Sequence, residues 1–176
     1  MLGVCYYPEH WSPALWPDDA KRMADLGLSV VRIGEFAWSR LEPKPGAWQI
    51  DWLDQAVEIL ADAGLKIVIG TPTATPPKWL IDAHPDILAI DPHTGRVRGF
   101  GSRRHYDFSS RLYRDLSAGI SEKLARHYGR HKAVIGWQTD NELCCHDTAL
   151  SISGQAVAAF RDWCKTRYQT IAALNI

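Results

Sequence analysis

The sequence predicts an α/β protein with parallel strands, on three observations. First, a ten-residue segment recurs: Met23-Ala24-Asp25-Leu26-Gly27-Leu28-Ser29-Val30-Val31-Arg32 aligns with Leu60-Ala61-Asp62-Ala63-Gly64-Leu65-Lys66-Ile67-Val68-Ile69, sharing Ala, Asp, Gly, Leu and Val at matching places. Each copy reads as a helix end, a glycine and a strand. Gly27 and Gly64 supply the left-handed conformation that stops a helix, and the β-branched run that follows has the composition of a buried parallel strand. Second, apolar stripes at helical spacing alternate with such strands. Third, polar residues collect immediately after each strand, where α/β enzymes place their sites. Alternating strand and helix implies right-handed crossovers, and fits either a doubly wound sandwich or part of a (β/α)8 barrel.

In chain order, the first strand is expected at residues 3–7. A helix follows with Pro17 in its first turn and Ala20, Met23 and Leu26 facing inward. The second strand covers residues 30–33, and the next helix carries the stripe Leu53, Ala56, Val57, Leu60 into a third strand at 67–69. A Pro-rich and Gly-rich excursion then runs from residue 72 to 101, a length that in compact domains usually carries function. A helix with the stripe Leu112, Leu116, Ile120, Leu124 leads to the fourth strand at 134–137, and a last helix starts near Gly154 with Val157, Phe160, Cys164 and Tyr168 on one side. Units of roughly 40 residues would take an eightfold repeat well past the ~250 residues typical of a barrel. At 176 residues only half of one is expected, and a chain that stops inside an apolar helical pattern reads as a fragment.

Composition narrows the function. The 20 Lys+Arg and 20 Asp+Glu cancel, leaving no basic surplus for nucleic acid and no charge excess for an anionic membrane. No apolar run approaches the ~20 residues of a membrane span, and the start lacks a signal peptide, so the chain reads as cytoplasmic. Cys5, Cys144, Cys145 and Cys164 show no CxxC spacing and are expected as free thiols, most of them buried. The 8 Trp outnumber both Tyr (6) and Phe (4), and flat rings with an N–H suit sugar faces as well as cores.

The groups that follow the strands are Tyr7-Pro8-Glu9-His10-Trp11, Gly34-Glu35-Phe36-Ala37-Trp38, Thr71-Pro72-Thr73 and Gln138-Thr139-Asp140-Asn141-Glu142. The last is the sharpest, because an amide and a carboxylate side by side can divide substrate binding from proton transfer: Glu142 as general acid, Asn141 holding a hydroxyl. The same three residues, Asp140 to Glu142, would also serve simply to cap the turn into the next helix. Trp11, Trp38 and Trp79 suit either sugar stacking or core packing. No GxGxxG or GxxxxGK[ST] follows any strand, which argues against a nucleotide cofactor.

Tyr6-Tyr7-Pro8-Glu9-His10-Trp11, Gly34-Glu35-Phe36-Ala37-Trp38-Ser39-Arg40-Leu41-Glu42-Pro43, Arg103-Arg104-His105-Tyr106 and Asp140-Asn141-Glu142, in this order, resemble the N-terminal half of a glycoside hydrolase family 42 β-galactosidase catalytic domain. The resemblance covers nearly the whole chain as one domain and implies the first four βα units of a (β/α)8 TIM barrel. It implies a retaining hydrolase that removes terminal β-D-galactose from small galactosides, with no cofactor and with a homo-oligomeric full-length enzyme. It makes Glu142 the acid/base, Asn141 a partner of the sugar near its 2-hydroxyl, and Arg103 a galactose-site residue. Glu35 receives no catalytic duty and reads as structural. The family nucleophile, a Glu on strand seven, is not in these 176 residues, so the chain alone is expected to be inactive. The alternative is a non-catalytic carbohydrate-binding or interaction module on the same fold. Some members bind zinc through four cysteines, whose places read Asp107, Ser151, Ser153 and Ala156 here. Neither these nor the adjacent Cys144, Cys145 and His146 suggest a metal.

Overall fold

The computed structural model describes every residue except Ser102, Arg104, His146 and Ile176. Arg104 of the Arg-Arg-His-Tyr motif, His146 beside the paired cysteines, and the terminal Ile176 therefore lie outside the described residues. Four strands, β1 (Gly3–Cys5), β2 (Val30–Ile33), β3 (Lys66–Gly70) and β4 (Val134–Gln138), form one sheet in the order β1-β2-β3-β4, and every pair is parallel. A parallel sheet needs crossovers, and each connection carries helix. α1 (Trp16–Asp25) joins β1 to β2. α2 (Trp38–Leu41) and α3 (Asp51–Asp62) lie between β2 and β3. α4 (Lys78–Ala83) and α5 (Arg111–Tyr128) lie between β3 and β4, and α6 (Gly154–Tyr168) and α7 (Ile171–Leu174) follow β4.

The apolar stripes bury one helical layer. Val31, Ile33, Ile67 and Ile69 point from the sheet into a core that receives Ala20 and Met23 from α1, Leu53, Val57 and Leu60 from α3, and Ile120 and Leu124 from α5. Leu112 and Leu116 pack against its margin. Leu26 departs from the expected inward stripe and is 77% exposed. It caps α1 immediately before Gly27 (φ 79), where the chain leaves the helical path and the helical period no longer sets its direction. β1 ends at Cys5 rather than at residue 7. Tyr6 N–H still donates to Arg32 O (2.9 Å), but Pro8 opens a 3-10 turn, Pro8–His10, that folds the chain across the strand end.

The excursion after β3 is packed rather than open. Its 3-10 turns Pro72–Ala74 and Pro85–Ile87 flank α4, it sends Leu80, Ile81 and Ile87 into the core, and antiparallel bridges pair Leu88 with Tyr106 and Ile90 with Val97. The expected inward stripe of α6 is not found: none of its residues is buried, and Phe160 is 63% exposed. The helix forms because Ser153 caps it, its Oγ accepting from Ala156 N–H, whereas its apolar side meets α7 across a groove that stays open to solvent. The expectation of buried thiols also fails, since Cys5 and Cys144 are exposed and Cys145 and Cys164 half-buried. Among the described residues, no helix is long and apolar enough to cross a membrane.

Two glycines let the ends of β2 and β3 meet. Gly34 (φ 87) turns the chain after β2, and Gly70 lies so close to Glu35 that a Cβ there would sit 2.4 Å from Glu35 Cβ and 2.8 Å from Glu35 Cα. A methyl group at position 70 must push backbone, not a flexible side-chain end. Gly70→Ala is therefore expected to lower stability by about 1–3 kcal/mol, read as a shift of the urea midpoint. An unchanged midpoint would show that the strand ends are not in contact.

Candidate active site

The carboxyl ends of the four strands gather the polar groups. β4 ends at Gln138, and the loop after it turns through four left-handed residues, Asp140 (φ 57), Glu142 (φ 48), Cys144 (φ 67) and Asp147 (φ 54). That region is uncommon for a non-glycine residue and is held only where the surroundings dictate it. The dictating contacts converge on Asp140. Its Oδ2 accepts from Thr73 Oγ1 and Tyr106 OH, both at 2.7 Å, its Oδ1 accepts from Asn141 N–H at 2.7 Å, and its own N–H donates to Thr71 Oγ1 at 2.7 Å. Tyr113 OH in turn donates to Thr73 O. The end of β3, the segment around residue 106 and the loop after β4 are thus fastened to a single carboxylate.

This fastening places the three expected site residues. Asn141 is 5% exposed, with Oδ1 accepting from Gln138 Nε2 at 3.1 Å. Glu142 projects outward with a side chain 56% exposed, and its Oε2 accepts from Arg103 Nη1 at 3.3 Å. Cys145 Sγ lies 3.5 Å from the same oxygen. Arg103 also rests over the Phe36 ring, 5.3 Å from its centroid, and Phe36 stacks on Tyr7 at 5.9 Å. The sequence-predicted residues Arg103, Asn141 and Glu142 are therefore brought together, beside two rings from the ends of β1 and β2.

Glu35 lies beneath this layer. It is 0% exposed and pairs with Arg32, with Nη2 2.7 Å from Oε1. That burial is in keeping with the structural reading of Glu35. Burial, and then the charge of Glu35, push the Tyr7 phenol above its ordinary value. His10 stacks on Tyr7 at 5.5 Å, and Arg40 donates to Glu9 O at 2.6 Å. Both Glu9 carboxylate oxygens are shut off from solvent without a well-aligned hydrogen bond to a described residue. Burial pushes the Glu9 carboxyl up, with Glu35 adding to the rise and His10 and Arg40 opposing it. Of the three tryptophans, Trp38 is core. Trp79 packs on the core with Nε1 donating to Glu42 O at 2.7 Å, and Trp11 is 53% exposed.

Sequence reasoning named Thr73 among the strand-end groups and Tyr106 within a family motif without giving either a role, and it found neither Arg32 as part of the site nor Asp140 as its fastening. One signal was available: Arg32 interrupts an otherwise apolar strand, and a charge there needs a partner.

Asp107, Ser151 and Ser153 do converge. Asp107 Oδ2 accepts from Ser151 Oγ at 2.7 Å and from Ser153 Oγ, and its Oδ1 accepts from Ser109 N–H at 2.7 Å. One carboxylate and two hydroxyls, engaged with each other, make a hydrogen-bonded clasp and lack the thiolates that zinc prefers. Among the described residues no three His, Cys, Asp or Glu side chains come together as a metal site.

Polar groups set over the carboxyl ends of parallel βα strands are where (β/α)8-barrel proteins carry their sites. The β-galactosidase model of glycoside hydrolase family 42 matches residues 5–176. A β-galactosidase of Thermus thermophilus is 57% identical over 99% of this chain and 27% of its own length, and the β-galactosidase Bga of Halorubrum lacusprofundi is 49% identical over 99% and 25%. The crystal structure of a β-galactosidase from the psychrophilic Marinomonas ef1 superposes with a TM-score of 0.96 at 55% identity, covering 99% of this chain and 26% of that one. The chain belongs to glycoside hydrolase family 42 and spans about a quarter of the length of these relatives. The catalytic domain of a Paenibacillus polymyxa β-amylase, at 11% identity and a TM-score of 0.67, shares the fold alone.

Two measurements check this site. Elemental analysis of the purified chain should find no stoichiometric zinc, and EDTA should leave the unfolding midpoint unchanged; about one zinc per chain, lost together with stability, would overturn the clasp reading. For Glu9 the sign follows from its raised pKa. The folded chain holds that proton more tightly than the unfolded one, so the stability it contributes is complete below the ordinary glutamate range and is lost as pH rises through the raised value. Glu9→Gln should therefore be more stable than the parent at pH 7, with the gap closing toward pH 4. A gap independent of pH would contradict it.

Proposed function

We propose that this chain supplies the acid/base side of a retaining β-galactosidase site that removes terminal β-D-galactose from small galactosides. The supporting observation is the Glu142 carboxylate, accessible and 3.3 Å from the Arg103 guanidinium, with the Asn141 amide next to it at the end of β4. A retaining mechanism needs two carboxyl groups about 5–5.5 Å apart. Glu142 protonates the leaving oxygen while an ionised carboxylate attacks the anomeric carbon. Water then attacks the glycosyl ester while Glu142, now a base, takes its proton.

The other carboxylates at these strand ends are ill suited to attack a sugar. Glu35 is closed off beside Arg32, the Glu9 oxygens are enclosed, and Asp140 is engaged by Thr73, Tyr106 and its own loop. The family resemblance implies that the attacking carboxylate is a Glu on strand seven, which is not among these 176 residues. The chain by itself is expected to hydrolyse nitrophenyl galactoside no faster than its Glu142→Gln variant, which is the behaviour of a binding module.

The full reading is tested by letting the chain stand in for the matching segment of the Thermus thermophilus β-galactosidase. In that assembled enzyme Glu142→Gln should cost at least about 100-fold in kcat/KM on lactose, whose leaving group needs a proton, and far less in kcat/KM on dinitrophenyl galactoside. With Glu142→Ala, azide should yield β-galactosyl azide. Equal losses on both substrates, with no azide product, would assign the acid to another carboxyl.

A further inference from the structure

A side-chain amide near a sugar is ambiguous, because it presents either an oxygen or an NH2 group, and which one faces the substrate decides what the site recognises. Here a chain of contacts starting at a buried charge removes the ambiguity. Glu35, closed to solvent, pairs with Arg32 at 2.7 Å. Arg32 lies in β2 opposite Val68, and its guanidinium reaches past β3 to β4, where Nη1 donates to Gln138 Oε1 at 2.5 Å. A guanidinium has donors only, so the Gln138 atom that faces it must be the oxygen. The Gln138 NH2 group then points the other way and donates both hydrogens, to Asp140 O at 2.9 Å and to Asn141 Oδ1 at 3.1 Å. Asn141 Oδ1 is thereby occupied. No described residue accepts from Asn141 Nδ2, and the neighbouring backbone is fixed by the bond from Asn141 N–H to Asp140 Oδ1.

We infer that Gln138 is a positioning residue that sets the orientation of the Asn141 amide, so that the site offers an N–H donor to a sugar hydroxyl oxygen. The inference rests on the galactosidase reading above, and on the place near the 2-hydroxyl that the family resemblance gives Asn141. Direction is what Gln138 adds. The hydroxyl is recognised through its oxygen, and its own hydrogen is left to be donated elsewhere. Without the Gln138 donor the Asn141 amide is free to turn over and present its oxygen, and the preference for a hydroxyl at that carbon weakens.

The test uses the assembled enzyme with two substrates that differ by one oxygen, nitrophenyl β-galactoside and its 2-deoxy analogue. Gln138→Glu keeps an acceptor toward Arg32 and removes the donor toward Asn141; Gln138→Met keeps the length and removes both. Each variant should lose about 10-fold in kcat/KM on the galactoside, chiefly in kcat, and change less than about 2-fold on the 2-deoxy substrate, where Asn141 has no hydroxyl to hold. The 2-deoxy rate also reports that the variant is folded. Asn141→Ala combined with Gln138→Glu should lose no more than Asn141→Ala alone, because one acts through the other.

Equal losses on both substrates, or losses that add to those of Asn141→Ala, would overturn the inference and leave Gln138 a strand tie, with the galactosidase reading intact. Lactose hydrolysis undiminished by Glu142→Gln would sink the reading of Glu142 as the acid/base, and this inference with it.

Discussion

A carboxylate with no water around it needs a cation, and Glu35 has one, Arg32, at 2.7 Å. The remainder of the site is arranged around that requirement. Glu35 is buried because Gly34 turns the chain sharply after β2 and Gly70 gives the β3 end no Cβ to hold it off. Arg32 points to the same end of the sheet, and once one side of its guanidinium serves Glu35 the other is free to reach β4. Removing Arg32 would leave the Glu35 charge uncompensated in a dry place, which costs far more than the pair contributes by existing. The pair is thus a weak source of stability and a strong source of geometry: it ties the ends of β2 and β4 across β3.

Asp140 does for the loop what Arg32 does for the sheet. The turn after β4 adopts left-handed conformations at Asp140 and Glu142, unfavourable for residues with a Cβ. Hydrogen bonds from Thr73, Tyr106 and the Asn141 backbone to one carboxylate offset that cost. Because those donors come from the end of β3 and from the long excursion, the excursion is part of the site's support. It brings Arg103 to Glu142 by packing Leu80, Ile81 and Ile87 into the core and by pairing Tyr106 with Leu88. The result is a carboxylate on a constrained turn, a guanidinium over an aromatic ring, and an amide with one end already spoken for. Each is oriented before any substrate arrives.

The two sides of the sheet are treated differently. One is covered by α1, α3 and α5 and holds the aliphatic core. The other carries Arg32 and Gln138, a polar tie. On the helical side, in register with Ile69, Trp137 of β4 stays 37% exposed. Beyond β4, α6 keeps its apolar residues toward a groove shared with α7. Such surfaces are unusual for a finished domain, and they belong to a chain that spans about a quarter of its relatives' length.

The family resemblance implied the strand order and the gathering of acid, amide and guanidinium, whereas the strands, the helices between them and the acid and amide at a strand end were readable in the residues themselves. These follow from local rules: the repeated helix-glycine-strand unit, the 3.6-residue period of Leu53, Ala56, Val57 and Leu60, and the position of Asp140, Asn141 and Glu142 immediately after a strand. Local rules also misled in places. Leu26 sits in phase with its helix yet past its end, and the α6 stripe has the right period with nothing described to cover it. Only the tertiary structure decided that Glu35 is paired and inaccessible, that Asp140 fastens three segments, and that Gln138 has its oxygen toward Arg32. The reason is physical: an amide's orientation and a carboxylate's solvation depend on partners 106 residues away for Gln138 and 67 for Asp140. No periodicity encodes which donor from one strand will meet which acceptor from another.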